Sequence, residues 1–229
     1  MLFDLRGRGR RRTVQVIYLT LALLMGGGLV LFGIGGGTNG GLFDAIGGSG
    51  GNTTNVDAVF QKRLDTYEAR LKVNPQDPAA LIGLTKLHFA NASTGENYNQ
   101  TQQAYTAKGL AELRESSAAW QRYLATNPAK PDIQTANLMA QVYGTLGLKQ
   151  YDKAVSALEM VIAGRKETAN LYAQLAILAS GAKQDRKSTL AEAKALDLTP
   201  KAQRKQLKSA IDLQKSQLGV EQPTQPQSG

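Results

Sequence analysis

Residues 133–166 read IQTANLMAQVYGTLGLKQYDKAVSALEMVIAGRK, and this stretch decides the fold. Its first half carries large and small apolar residues at helical spacing, namely Ala136, Met139, Ala140 and Tyr143. Gly147 then interrupts the pattern, and a second helical period starts at Tyr151. Apolar residues that recur three and four positions apart predict helices that bury one face. The stretch therefore predicts two helices joined by a turn at the glycine.

The same helical period extends in both directions, from Val56 to about Gln217. Prolines and glycines divide this part of the chain into helices expected at 56–73, 78–91, 101–126, 132–146, 150–163, 168–180, 184–197 and 200–217. Asp77 and Thr199, each followed by proline, are expected to cap the second and the last of them. About 160 residues can bury a sizeable core. The expected fold class is therefore all-α.

Three segments share a Leu-x-x-x-Pro ending, which indicates an internal repeat. They are Leu71–Pro75, Leu124–Pro128 and Leu196–Pro200. Together with the pattern of residues 133–166, they resemble the tetratricopeptide repeat, a helix–turn–helix unit of about 34 residues. The resemblance covers about residues 57–200 and implies a TPR-like α-α repeat solenoid, although Glu192 stands where the family has an aromatic residue. An irregular α-helical bundle with the same number of helices is the alternative.

The resemblance also implies where a partner would bind. In the family, the first helix of each pair lines a concave surface that holds a peptide or a partner helix. The corresponding positions in this chain are Lys86, Gln134, Asn137, Gln141 and Asn170. These side chains are mostly amides, whereas family members that bind acidic chain ends in the cytosol use several Lys, Arg and Asn residues there, of which this chain keeps only Lys86, Asn137 and Asn170. The implied partner is a protein or peptide held in an extended form through its backbone.

The N-terminal part of the chain has the pattern of a membrane anchor. Residues 13–34 contain no charged side chain, and residues 1–12 carry five arginines against one aspartate. A helix of 22 residues spans about 33 Å, which is enough to cross a bilayer core of ~30 Å. Positively charged flanks stay in the cytoplasm, so we expect a single-pass transmembrane helix with the rest of the chain outside. A cleaved secretory signal is the alternative, but the span is long for one and lacks an A-x-A site.

The remaining segments complete the expected organisation. Residues 1–12 form a basic cytoplasmic N-terminus, residues 35–55 a Gly-rich flexible linker, residues 56–218 the repeat domain and residues 219–229 a disordered tail. The last helix places Leu207 and Ile211 on one face and its lysines elsewhere, as a helix that caps a repeat stack would. The alternative is that its basic face meets anionic lipid or an acidic partner.

Few residues of this chain could support catalysis. The sequence has no cysteine and one histidine, His88, which we expect to be a packing residue rather than a ligand or a base. It contains no phosphate-binding loop, Gly-x-Ser-x-Gly or His-Glu-x-x-His motif. We therefore expect no enzyme activity, no catalytic residue, no cofactor and no metal. Residues 13–182 carry thirteen basic and twelve acidic side chains, so a nucleic-acid-binding face is not expected either.

These expectations favour a non-catalytic scaffold anchored in the cell membrane of a bacterium, with its repeat domain outside the cytoplasm. Architecture of this kind suits an accessory chaperone in protein export or in the maturation of envelope proteins. A structural assembly protein of a cell-envelope complex, with one dedicated partner, is the second hypothesis. A membrane-tethered hydrolase is the third, and no motif favours it.

Overall fold

A computed structural model describes residues 53–219, and this part of the chain is almost entirely helical. Its α-helices are α1 (Thr53–Val73), α2 (Pro78–Ala92), α3 (Ala107–Ala125), α4 (Ile133–Val142), α5 (Tyr151–Gly164), α6 (Ala169–Gly181), α7 (Asp185–Asp197) and α8 (Lys201–Gly219). A 3-10 turn (Gly95–Asn97) and two short strands, β1 (Tyr98–Asn99) and β2 (Ala104–Tyr105), lie between α2 and α3. The expectation of an all-α fold is confirmed.

Consecutive helices pack as hairpins. The most extensive contacts join α2 to α3, α4 to α5 and α6 to α7, while α1 packs against α2 and α8 packs against α6 and α7. Only residues 182–184 join α6 to α7, and so short a connection makes these two helices run antiparallel. Further contacts join α5 to α6, and α4 to both α2 and α3. The hairpins are therefore stacked in chain order, each against its neighbour.

Large side chains from one helix pack against small ones from the next. Trp120, Met139, Tyr143 and Leu158 are fully buried, together with many alanines along the helix contacts. Where α1 meets α2, a Cβ atom at Gly83 would lie 2.4 Å from the ring of Tyr67. Small residues at such positions let helix axes approach closely, and the large residues fill the space between hairpins.

Local capping explains several helix starts. The Asp77 carboxylate accepts hydrogen bonds from the Ala79 and Ala80 amides, with Pro78 in the first turn, as expected. The expected cap at Thr199 is wrong, because its hydroxyl donates to the Ala195 carbonyl at the end of α7 instead. Thr199 therefore closes α7 rather than opening α8.

Two expected helix boundaries are also wrong. The expected helix 101–126 begins only at Ala107, because β1 and β2 pair antiparallel before it, and the rings of Tyr98 and Tyr105 meet edge to face at 5.2 Å. The expected helix 132–146 ends at Val142, whose carbonyl accepts the Leu148 amide at 2.7 Å and so closes the helix with a compact turn. Both differences come from contacts within the connecting segments rather than from the helical pattern.

The expected anchor at 13–34, the cytoplasmic segment at 1–12 and nearly all of the linker at 35–55 lie outside the described residues. So do residues 220–229 of the expected tail. Helix α1 starts at Thr53, slightly before the expected beginning of the domain at residue 56, and α8 runs to Gly219. Within residues 53–219, no helix is both long enough and apolar enough to span a bilayer.

Candidate functional site

The side chain of Lys86 links α2 to the start of α4, and each of these is the first helix of its hairpin. Lys86 lies in α2, and its Nζ atom is 3.6 Å from Oδ1 of Asp132, the residue that caps α4. Each of the two side chains is about one-third exposed (32% and 33%), so the pair lies at the surface where α2 meets α4. The one cation among the residues expected to bind a partner is therefore already beside a carboxylate.

Asp132 has several partners within the protein. Its carboxylate accepts hydrogen bonds from the amide and the hydroxyl of Thr135, and it faces Lys86. Burial alone would raise the pKa of Asp132, but the Thr135 hydrogen bonds and the Lys86 charge outweigh burial and lower that pKa overall. Asp132 therefore holds the start of α4 as a stable anion, and its contacts leave it poorly placed to neutralise a further cation.

The three predicted partner-binding residues of α4 share one face of that helix. Gln134, Asn137 and Gln141 are three and seven positions apart, a spacing that places them along one side. Gln134 is exposed, whereas Asn137 and Gln141 are half-buried, and Gln141 already interacts within the protein. Asn170 is exposed in the first turn of α6. No hydrogen bond or ion pair described for residues 53–219 joins Asn170 to the other four.

A cleft of about 630 Å³ opens between α2, the C-terminal end of α3 and the start of α4. Its lining includes Ile82 of α2, Tyr123 of α3, the 130–134 segment, and the Gly164–Arg165 end of α5. Of the five predicted residues, only Gln134 lines it. The cleft is shallow and open to solvent, so it offers a surface on which a chain segment can lie rather than an enclosed pocket. We call this feature the α2/α4 cleft.

One hydrogen bond and one van der Waals contact fix the shape of the α2/α4 cleft. The Tyr123 hydroxyl accepts the Asp132 amide at 2.9 Å, which ties the loop before α4 to α3. At the other side, a Cβ atom at Gly164 would lie 2.1 Å from Cδ1 of Ile133, so the end of α5 lies directly on the first residue of α4. The cleft is therefore bounded by residues that the fold already holds in place.

The sequence reasoning missed the charged residues at the rim of this cleft. Lys130 and Arg165 line it and are exposed, and both lie in connecting segments rather than on the helix faces that the family pattern designates. The sequence did contain a signal, since each of these cations lies next to a helix-breaking residue, Pro131 or Gly164. Side chains at such connections converge on the ends of stacked helices.

The single histidine takes part in a contact among three helices. The Nδ1 atom of His88 in α2 is 2.7 Å from Oε2 of Glu112 in α3, and its ring meets that of Phe60 in α1 edge to face at 5.9 Å. The His88 side chain is only 13% exposed. His88 is thus packed between helices, and its ring also has a polar partner, Glu112, which the sequence did not indicate. This contact joins α1, α2 and α3.

A second cleft, of about 570 Å³, lies along α6 and α7. Tyr172, Leu175, Leu190 and Ala191 contribute to its lining, and Leu190 is 62% exposed. A salt bridge of 2.6 Å between Lys187 and Glu159 ties α7 to α5 beside it. None of the residues predicted to bind a partner lines this second cleft.

No protein-family model, no curated protein and no solved structure matches this chain. Conclusions about function therefore depend on the geometry of residues 53–219 and on the patterns of the sequence.

Proposed function

We propose that this protein is a non-catalytic scaffold of the tetratricopeptide type, anchored in a membrane by residues 13–34, which binds a segment of a partner protein outside the cytoplasm. The observation that carries the proposal is the α2/α4 cleft, which lies between stacked helical hairpins and is lined by both apolar and polar side chains. Clefts of this composition hold peptides by enclosing side chains and by bonding to the backbone.

The burial pattern supports the repeat assignment. Most apolar residues that carry the resemblance within 133–166 are buried, namely Ala136, Met139, Ala140, Tyr143, Ala154, Leu158 and Val161. The tyrosine that opens the second helix also has a role between hairpins, because a Cβ atom at Gly181 in α6 would lie 2.9 Å from the ring of Tyr151. A repeat stack needs such contacts between neighbouring units, since a single unit cannot bury its apolar face alone.

The exposed face of α4 supports binding of an extended segment. Gln134 is a donor and an acceptor at the cleft, and Asn137 follows one turn later on the same side. A primary amide can bond to either a peptide N–H or a peptide C=O, so this face recognises backbone more than side chains. A scaffold with this surface suits an accessory chaperone that handles several exported proteins.

Site-specific crosslinking in intact membranes tests the proposal. A photoreactive residue replaces Gln134 in one variant and Gln203, an exposed glutamine of α8, in a matched control. We expect protein adducts from position 134 that position 203 does not give. Several adducts favour a chaperone, and one stoichiometric adduct favours the structural assembly protein. Adducts no more abundant from position 134 than from position 203 would reject partner binding at this face.

Topology can be tested separately, because the chain has no cysteine and a single introduced thiol can be labelled without background. Variants Gln203→Cys and Arg8→Cys are treated in intact cells with a maleimide that does not cross membranes. We expect labelling at position 203 and none at position 8 until the membrane is opened. Labelling of position 8 in intact cells, or protection of position 203, would overturn the proposed orientation.

A further inference from the structure

We propose that the α2/α4 cleft selects acidic segments: an aliphatic side chain of the partner lies against Ile82 and Ile133, and carboxylates beside it pair with Lys130 and Arg165. This inference rests on the proposed function, because it names the chemistry of the segment that the scaffold would hold. It differs from the implied groove, which is lined by amides and has little side-chain selectivity. The selectivity for acidic segments comes instead from Lys130 and Arg165, which lie in the connections between the helices.

The apolar part of the site is provided by two isoleucines. Ile82 and Ile133 both line the cleft and are both half-buried, so each keeps part of its side chain open to the cleft. Ile133 is held from behind by Gly164, where the space for even a Cβ atom is filled by the isoleucine itself. A branched aliphatic side chain of the partner would cover the remaining apolar surface of both residues. This surface provides one anchor point.

The charged part of the site consists of the two rim cations. Lys130 and Arg165 are exposed, and neither has a carboxylate partner among residues 53–219. The nearest acids along the chain already have other partners. Asp132 bonds to Thr135 and faces Lys86, while Glu167 accepts the Tyr172 hydroxyl at 2.6 Å and pairs with Lys194 at 2.9 Å. The rim therefore carries positive charge that the described part of the chain does not neutralise.

The position of these cations makes charge complementarity specific. Lys130 precedes α4 and Arg165 follows α5, and both line the same cleft as the isoleucines. Carboxylates beside a docked aliphatic residue would thus meet cations that line the same cleft as the apolar floor. An arginine can hold a carboxylate through two parallel hydrogen bonds, which adds orientation to attraction. A basic segment would be repelled at both positions.

Fluorescence anisotropy with the full-length chain in zwitterionic lipid nanodiscs tests the inference. The probe is a fluorescein-labelled heptapeptide with a central isoleucine, two aspartates on each side and a C-terminal amide. We expect the Lys130→Glu/Arg165→Glu variant to bind it about 10- to 30-fold more weakly than the unchanged chain. The matched control is Lys201→Glu/Lys205→Glu, which reverses two exposed charges on α8 and is expected to change affinity less than about 2-fold. Circular dichroism of each variant establishes that the helices are intact.

Changes to the peptide separate the two parts of the site. Replacing its aspartates by asparagines should weaken binding as much as the Lys130→Glu/Arg165→Glu variant does, and replacing its isoleucine by alanine should weaken binding about 3-fold or more. Equal binding of the aspartate and asparagine peptides would overturn the inference. The inference would also be overturned if a single-stranded oligothymidine bound more tightly than the peptide and lost affinity in the Lys130→Glu/Arg165→Glu variant. The rim would then be a general polyanion site.

The outcome distinguishes this inference from the proposed function. If the acidic peptide does not bind while crosslinking at position 134 still gives partner adducts, the acidic selectivity is wrong and the scaffold proposal stands. If neither experiment gives binding, the acidic selectivity and the scaffold proposal are both wrong. Loss of affinity in the control variant to the same degree as in the rim variant would place the acidic partner on α8 and also overturn the inference.

Discussion

The hydroxyl of Tyr143 should stabilise the contact between the first two hairpins. Tyr143 is 1% exposed at the end of α4, and its Oη atom is 2.8 Å from Oγ of Ser117 in α3, while Gln121 donates to it at 3.1 Å. The change Tyr143→Phe keeps the buried ring and removes only the hydroxyl. We expect it to lower the free energy of unfolding by about 1–2 kcal/mol, because the buried Ser117 hydroxyl loses a partner. The change Ser117→Ala should cost about 1 kcal/mol for the same reason.

A double-mutant cycle isolates the bond itself. With both changes together, neither side leaves a buried unpaired hydroxyl, so we expect a coupling energy of about 1 kcal/mol between them. Urea unfolding of the full-length chain in nonionic detergent can be followed through Trp120, the single tryptophan, which is buried in α3. The control is Tyr67→Phe, whose half-buried ring lies against Gly83 and which should change stability by less than about 0.5 kcal/mol. A coupling energy below about 0.3 kcal/mol would show that Tyr143 and Ser117 act independently.

Three further predictions follow from the same structure. In Gly147→Ala the new Cβ atom would lie 2.1 Å from the Val142 carbonyl oxygen, so we expect a loss of about 1–3 kcal/mol in urea unfolding. Gly164→Ala would meet the Ile133 side chain at the same distance, and it should lose less because a side chain shifts more readily than backbone. Because the pKa of Asp132 is lowered in the folded protein, its carboxylate stabilises the fold at pH values above its ordinary pKa of 3.8, and this stabilisation is lost as the pH falls through the lower folded-state pKa. Asp132→Ala should therefore lower the free energy of unfolding by about 1 kcal/mol at pH 7. It should also flatten the dependence of stability on pH below about pH 4. Glu192→Gln should speed hydrogen exchange of α8 amides but not of α4 amides, and equal rates in α8 of both proteins would contradict the docking role of this carboxylate.

The helices could be predicted from the sequence because their causes are local. Apolar spacing, an aspartate followed by proline, and glycines at the turns all act within a few residues, and most expected helix boundaries lie within one to three residues of those observed. The start of α3 could not be placed in this way. It depends on the pairing of Tyr98 with Tyr105 and on the Thr106 amide, which donates to the Asn97 carbonyl at 2.9 Å. Such a short ribbon leaves no periodic pattern in the sequence.

The candidate site was harder to predict, because its contacts join distant parts of the chain. The family pattern designates positions on helix faces, and it therefore pointed to Lys86 and Gln134 but not to Lys130 or Arg165. It also gave no sign that Lys86 faces a carboxylate, since Asp132 is 46 residues away in sequence and reaches Lys86 only when α4 stacks on α2. The site forms only where the connecting segments lie beside the ends of the stacked helices, and the sequence alone does not place those segments.

The contact between α7 and α8 shows how a departure from the expected repeat pattern can have a structural cause. Glu192 stands where the proposed repeat pattern would have an aromatic residue, and it pairs with Lys208 at 2.9 Å and Lys215 at 2.7 Å. These bonds lower the pKa of Glu192, with Lys215 as the main cause. An aromatic residue there would pack against a following unit, whereas a carboxylate can hold an amphipathic last helix whose outer surface stays polar. The pairing also removes Lys208 and Lys215 from any basic binding face. Lys201, Arg204 and Lys205 of α8 keep no carboxylate partner among residues 53–219, so α8 stays a competing place for an acidic partner. The Lys201→Glu/Lys205→Glu variant decides between α8 and the rim of the α2/α4 cleft.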